Sequence, residues 1–174
     1  KLLRWDKSTI NYYIGFTTYN ENNLNQSEKE HYINIVKGGI NAIDQKLQGL
    51  LNYEEVHQSS LADVKLYIAS DNEESINGAG GILKEQIKNG NEIKSSIIYL
   101  NSKYIYSSYS GKAITAHELG HSLGIYGHSP DNNDLMYYST SGIDIKNWKN
   151  RNDDERKIFG LLYSLEFGSK NPFN

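Results

Sequence analysis

Apolar and polar positions alternate from Thr9 to Phe16, with Ile10, Tyr12, Ile14 and Phe16 on one side. A period of two residues predicts a strand with one face buried. Asn20 to Asn25 is polar and reads as a loop. Ser27, with Glu30 three residues on, has the form of a capping box. Behind it Ile33, Val36, Ile40, Ile43, Leu47 and Leu50 recur every three or four positions, so a long amphipathic helix is predicted. Alternation returns from Asp63 to Ala69 through Val64, Leu66 and Ile68. Gly78 to Gly81 is a flexible stretch feeding Ile82 and Leu83, and Ser95 to Asn101 is a short buried strand. Gly111 opens a second helix, Lys112 to about Leu123, and Gly124 marks its end. Loop follows from Ile125 to Trp148. A last helix is predicted from about Asn152 to Phe167, with apolar positions Ile158, Leu161, Leu162 and Leu165. Asp153, Asp154 and Glu155 suit its positive N-terminal end.

No repeat or Ser/Gly linker interrupts this order. One domain over 1–174 is expected, with an N-terminal lobe to about 124 and a C-terminal lobe from about 125. Hydrophobic residues make up 37% and charged residues 22%, with 14 Tyr, 4 Phe and 2 Trp, which is enough apolar material for a packed core. A net charge of −3 argues against a partner bound through nucleic-acid phosphates. No apolar run approaches the roughly 20 residues of a transmembrane helix. The absence of cysteine excludes disulfides, a thiolate zinc site and cysteine catalysis. Lys1 opens the chain without a signal pattern, and any targeting segment is expected to lie outside these residues.

The chemistry concentrates in His117-Glu118-Leu119-Gly120-His121-Ser122-Leu123-Gly124-Ile125-Tyr126-Gly127-His128. On a helix, His117 and His121 leave the same face one turn apart and can grip one metal ion. Glu118 is rotated by about 100° from His117, a poor place for a third ligand and a good one beside a water on the metal. Gly124 can swing the chain back and deliver His128 as a third nitrogen ligand. Three protein ligands leave zinc one open position, as in catalytic sites. His31 and His57 have no such company and read as surface or helix-packing residues.

These residues resemble the metzincin clan of zinc endopeptidases, whose signature is HExxHxxGxxH followed by a Met-turn. Within the clan the chain is most similar to the matrixins, particularly small bacterial ones. His117 to Gly124 resembles the matrixin helix, His128-Ser129-Pro130-Asp131 its third-ligand turn, and Leu135-Met136-Tyr137 its Met-turn. Leu3 to Ile14 is similar to the opening strand, Gly80 to Leu83 to the substrate-binding edge strand, and Asp153 to Tyr163 to the C-terminal helix. The chain departs from the pattern at several points. Three residues separate Gly124 from His128, giving HExxHxxGxxxH, a spacing shared with archaemetzincins. Those carry a cysteine-bound second zinc, which a chain without cysteine cannot hold. Asp131 is the alternative third ligand, as in snapalysin-like metzincins. The histidines and acidic clusters that hold structural zinc and calcium in animal matrixins are missing between 70 and 100. Tyr138 stands where matrixins usually have Pro, and the order Met-x-Tyr resembles astacins and serralysins, where that tyrosine can approach the zinc. A packed Met-turn aromatic is its other reading.

The resemblance implies an α+β catalytic domain. It has a small twisted mixed sheet, an active-site helix, a backing helix, and a C-terminal lobe with the Met-turn and a terminal helix. It implies a secreted or cell-surface, monomeric endopeptidase with one catalytic Zn2+, held by His117, His121 and His128, and Glu118 as general base. Structural calcium or a second zinc is not expected. An extended peptide or protein substrate would pair with the edge strand at Gly81, Ile82 and Leu83, with selectivity from the pocket beside His117 and the loop Tyr137–Ile143. Two rivals remain: an inactive zinc-binding adaptor, which an intact Glu118 argues against, and a different zincin with Glu155 as downstream ligand.

Overall fold

The computed structural model describes residues 3–47, 49–140, 145 and 154–164. Six strands form one sheet: β1 (Arg4–Trp5), β2 (Thr9–Phe16), β3 (Asn52–Glu55), β4 (Val64–Ala69), β5 (Gly81–Asn89) and β6 (Glu92–Asn101). β2 lies between β3 and β4, β4 lies beside β6, and all these pairings are parallel. β1 runs parallel to the start of β6 through Arg4↔Glu92 and Trp5↔Ile93. β5 alone is antiparallel, covering β6 from Leu100 back to Glu92 along its other edge. The result is a mixed sheet whose last strand has one open edge among the described residues.

The parallel crossover from β2 to β3 is made by helices, and a second pair of helices follows the sheet's last strand in sequence. α1 (Thr18–Asn23) and α2 (Gln26–Lys46) follow β2, and α3 (Ser102–Ile105) and α4 (Ser108–Ser122) follow β6. α5 (Asp154–Ser164) closes the described chain. α2 buries Tyr32, Val36, Ile40 and Ile43 in one cluster with Ile10, Val64, Leu66, Ile68, Ile98 and Leu100 from the sheet. Each fully buried aliphatic side chain contributes about 1.5–3 kcal/mol. α4 joins the same core through Ala113, Ala116, Leu119 and Leu123, and α2 and α4 pack directly on each other. α4 is therefore backed by α2 and by the sheet, and its other side is available for chemistry. No described helix is long and apolar enough to cross a membrane.

Several expected boundaries shift. α1 runs into the stretch read as a polar loop, as far as Asn23, with buried Asn20 donating from Nδ2 to the Ile68 carbonyl at 3.2 Å. The capping box is Asn25–Glu28 rather than Ser27–Glu30. Glu28 N–H donates to Asn25 Oδ1 at 3.0 Å and Asn25 N–H donates to Glu28 Oε2 at 2.8 Å. Asn caps as well as Ser, so the helix starts at the earlier competent residue. The strand expected at Ser95 begins at Glu92, since the turn at Gly90 (φ 61°) folds β5 back on it. α4 starts at Ser108, not beside Gly111: its first turn is polar and carries no apolar period, yet Gly111 N–H donates to the Ser107 carbonyl at 2.8 Å.

The terminal helix also turns a different face inward. Phe159 is fully buried, with Leu162 beside it, whereas Ile158 is 52% exposed and Leu161 36%. Arg4 Nη1 donates to the Leu162 carbonyl at 2.7 Å, and the Tyr163 hydroxyl donates to the Leu123 carbonyl at 2.8 Å. These bonds to β1 and the end of α4 set the helix's rotation. Asn152, Asp153 and Leu165 to Phe167, which the sequence reading includes in this helix, lie outside the described residues.

Candidate metal centre

Helix geometry places His117 and His121 one turn apart with their Nε2 atoms 3.1 Å from each other. Each imidazole has a carbonyl behind it. His117 Nδ1 lies 2.6 Å from the Leu135 oxygen, and His121 Nδ1 lies 2.6 Å from the Ile125 oxygen. A carbonyl only accepts, so each Nδ1 carries the hydrogen and each Nε2 presents its lone pair to the other ring. Burial, with His121 and His128 as lesser contributors, pushes His117 down to about 4, and burial also lowers His121. Protonation is thus a poor way to relieve the facing lone pairs. A cation between them does so, and the corner-to-corner spacing of nitrogens around tetrahedral zinc is about 3.3 Å at ordinary Zn–N lengths. The donor set fits zinc.

The third imidazole comes from the loop after α4. Gly124 takes φ 104°, a conformation L side chains rarely adopt, and a Cβ there would overlap the Leu3 carbonyl oxygen. The chain turns at that point and brings His128 back. Its ring lies 5.3 Å from that of His117 at an interplanar angle of 15°, and 5.2 Å from that of His121. A ligand atom from each of the three histidines falls within 4.8 Å of the others, and this is the one such group of three among the described residues. Asp131 lies outside it, with Oδ1 accepting from the Asn133 backbone and side-chain nitrogens, both at 2.9 Å. Three residues separate Gly124 from His128, and Gly127 among them has no positive φ. The turn is made at Gly124, and Tyr126 reaches across to β5.

Leu135-Met136-Tyr137 runs beneath the helix. Met136 is buried, and a Cβ on Gly120 would overlap its sulfur, so only glycine admits Met136 this close to α4 between the two histidines. The same turn supplies the Leu135 carbonyl to His117, and Ser129 N–H donates to the Met136 carbonyl at 2.8 Å. Tyr138 is 70% exposed on the wall of the cleft, its ring 4.4 Å from Tyr137, so the packed reading of this residue does not hold.

Glu118 is 6% exposed. Burial pushes its carboxyl up to about 7, opposed by a hydrogen bond from the Leu83 backbone. The cleft before it has a volume of about 780 Å³ and is bounded by Gly80, by Gly81–Leu83 of the edge strand, by Ile114, the three histidines, Tyr126 and Tyr138. Ile82 pairs with Tyr99 and Leu83 with Ile98, so Gly81, Ile82 and Leu83 form the cleft's rim with their outer edge unpaired among described strands. His31 and His57 are elsewhere: His31 Nε2 lies 2.9 Å from the Tyr106 carbonyl, and His57 is exposed. Glu155 belongs to α5, and its side chain lies outside the described positions, as do 141–143 of the proposed selectivity loop.

Sequence reasoning missed the Leu135 and Ile125 carbonyls and the Tyr126–Gln86 contact. The first two are backbone atoms and carry no side-chain signature. The third joins residues 40 apart in sequence. The matrixin family model matches residues 4–163. No curated protein matches the chain.

Proposed function

The chain belongs to the matrixin family, a family of zinc metallopeptidases, and from that premise we propose that it is a secreted zinc endopeptidase. In this reading His117, His121 and His128 hold one metal ion and Glu118 is the general base. The observation that carries it is the convergence of one ligand atom from each of three imidazoles within 4.8 Å, next to a buried carboxyl, on a cleft open along β5. Zinc at this site supplies Lewis acidity, polarising the scissile carbonyl and bringing the pKa of water toward about 7. Glu118 takes the proton of the attacking water and passes it to the leaving amine. Burial supports this role by keeping the carboxylate a stronger base than an exposed glutamate. An extended peptide adds a strand to the open edge of β5 at Gly81–Leu83, through backbone hydrogen bonds that confer little side-chain preference. Preference then comes from Ile114 and the Tyr138–Thr140 wall. Extracellular or cell-surface action follows the habit of the family. An inactive adaptor would leave no reason for a buried carboxyl beside the triad.

Zinc content and casein cleavage of the wild type and Glu118→Gln test the assignment. One zinc per chain is expected in both, with cleavage reduced at least about a hundredfold in the variant. Two tightly held zinc ions, a fully active variant, or a zinc-loaded wild type that cleaves nothing would overturn it. Recovery of the protein from the culture medium of its native host, rather than the cell lysate, tests secretion.

A further inference from the structure

His117 and His121 are aimed by the carbonyls behind them. His128 is exposed, and among the described residues its ring has no hydrogen bond to a carbonyl. Its direction must come from the chain on either side. After it, Ser129 is tied to the Met-turn through the Met136 carbonyl at 2.8 Å and through Asp134 Oδ2 at 2.5 Å. Before it lies the segment Ile125–Gly127, three residues where the metzincin signature has two. In that segment the Tyr126 hydroxyl donates to Gln86 Oε1, and Lys88 Nζ sits 4.5 Å from the Tyr126 ring centre.

Gln86 is itself fixed. Its Nε2 donates at 3.1 Å to Ser96 Oγ on β6 and at 3.1 Å to the Ser122 carbonyl at the end of α4. Trp5 Nε1 donates to the same carbonyl at 2.9 Å. Tyr126 is therefore held at a junction of three elements. It stands directly after Ile125, whose carbonyl aims His121, and two residues before His128.

We propose that Tyr126 is a positioning residue: its hydroxyl, clamped to Gln86 of the substrate-edge strand, sets the loop that aims His128. The clamp takes the place of the missing carbonyl and lets the longer loop reach the metal without a positive φ at Gly127. This rests on the ligand assignment above, and predicts that a contact on β5, remote from the metal, governs metal affinity.

The test is a zinc competition titration of wild type, His128→Ala, Tyr126→Phe, Gln86→Ala and the Tyr126→Phe/Gln86→Ala double variant, with visible spectra of the Co2+-loaded forms. Loss of an outer partner of a ligand typically weakens metal binding about 10–100-fold. Tyr126→Phe and Gln86→Ala should each weaken zinc by about tenfold. The double variant should be no worse than the weaker single variant, because both remove one contact. The cobalt band of Tyr126→Phe should shift, while the urea midpoint of its metal-free form stays at the wild-type value. Zinc affinity within about twofold of wild type in both single variants, additive losses, or an unchanged cobalt band would overturn the clamp alone, provided His128→Ala has lost its zinc. If the wild type binds no zinc, or His128→Ala binds it as tightly as wild type, the ligand assignment falls and the clamp with it.

Discussion

The two halves of the triad are built differently. His117 and His121 stand on a helix packed between α2 and the sheet, each with a carbonyl behind it, and His117 is only 6% exposed. His128 stands on an exposed loop, held through its neighbours Tyr126 and Ser129. The helical half is rigid because its imidazoles are aimed by the same packing that stabilises the fold. The loop half owes its geometry to a few polar contacts of its neighbours, local ones at Ser129 and a long-range one at Tyr126. The fold can thus tolerate change in the loop, including an extra residue, while change in the helix costs both metal and stability.

Paired deletions test the contrast most severely. Apparent zinc-binding free energies of about 10–16 kcal/mol, shared over four ligands, put each ligand near 3 kcal/mol, so His117→Ala and His128→Ala should each weaken zinc at least about a hundredfold. They should part in the metal-free state. His117→Ala strands the buried Leu135 carbonyl and should cost about 1–3 kcal/mol in urea unfolding. His128→Ala removes an exposed ring and should stay within about 0.5 kcal/mol of wild type. Equal destabilisation by the two would end the distinction.

The Met-turn and the residue after it contain the same contrast, between buried Met136 and exposed Tyr138. Met136→Ala empties space beneath Gly120 and should lower stability by about 2–5 kcal/mol. Tyr138→Ala, on the exposed wall, should change thermal or urea stability by less than about 0.5 kcal/mol.

Titration of the helical half gives a third test, made on metal-stripped protein. Glu118 is raised from 4.5 to about 7 in the fold. Between those values the folded chain holds a proton that the unfolded chain has lost. Its contribution is therefore complete below the unfolded value and is lost as pH rises through about 7. Glu118→Gln has no such proton and should gain on wild type by on the order of 2–3 kcal/mol between pH 5 and 8. His117 runs the other way: its folded value of about 4 lies below the ordinary 6.5, so both proteins lose stability as pH falls from 6.5 toward 4. Urea unfolding across this range, with chelator present, reads both slopes. A gain that is independent of pH would place Glu118 in contact with solvent. The smallest effect is expected at Asp131. Its carboxylate holds Asn133 and not the triad, so Asp131→Ala should leave zinc affinity within about threefold of wild type, far short of the loss of a ligand.

Local periodicity carried much of this fold in the linear chain. The alternation of Thr9–Phe16 and Val64–Ala69 and the three-to-four spacing along α2 follow from backbone geometry within each segment, and the strands and helix stand where the pattern puts them. The shared face of His117 and His121 is legible for the same reason, since four residues make about one helical turn. Long-range packing decided what each segment could not specify alone. Asn20 became helical to satisfy Ile68, Phe159 displaced Ile158 as the buried face of α5, and His128 rather than Asp131 came to lie beside the helical pair. The carbonyls of Leu135 and Ile125 and the Gln86 anchor of Tyr126 are likewise tertiary. Backbone acceptors look alike in every sequence, and a polar contact between residues 40 apart exists only after the core has brought their elements together.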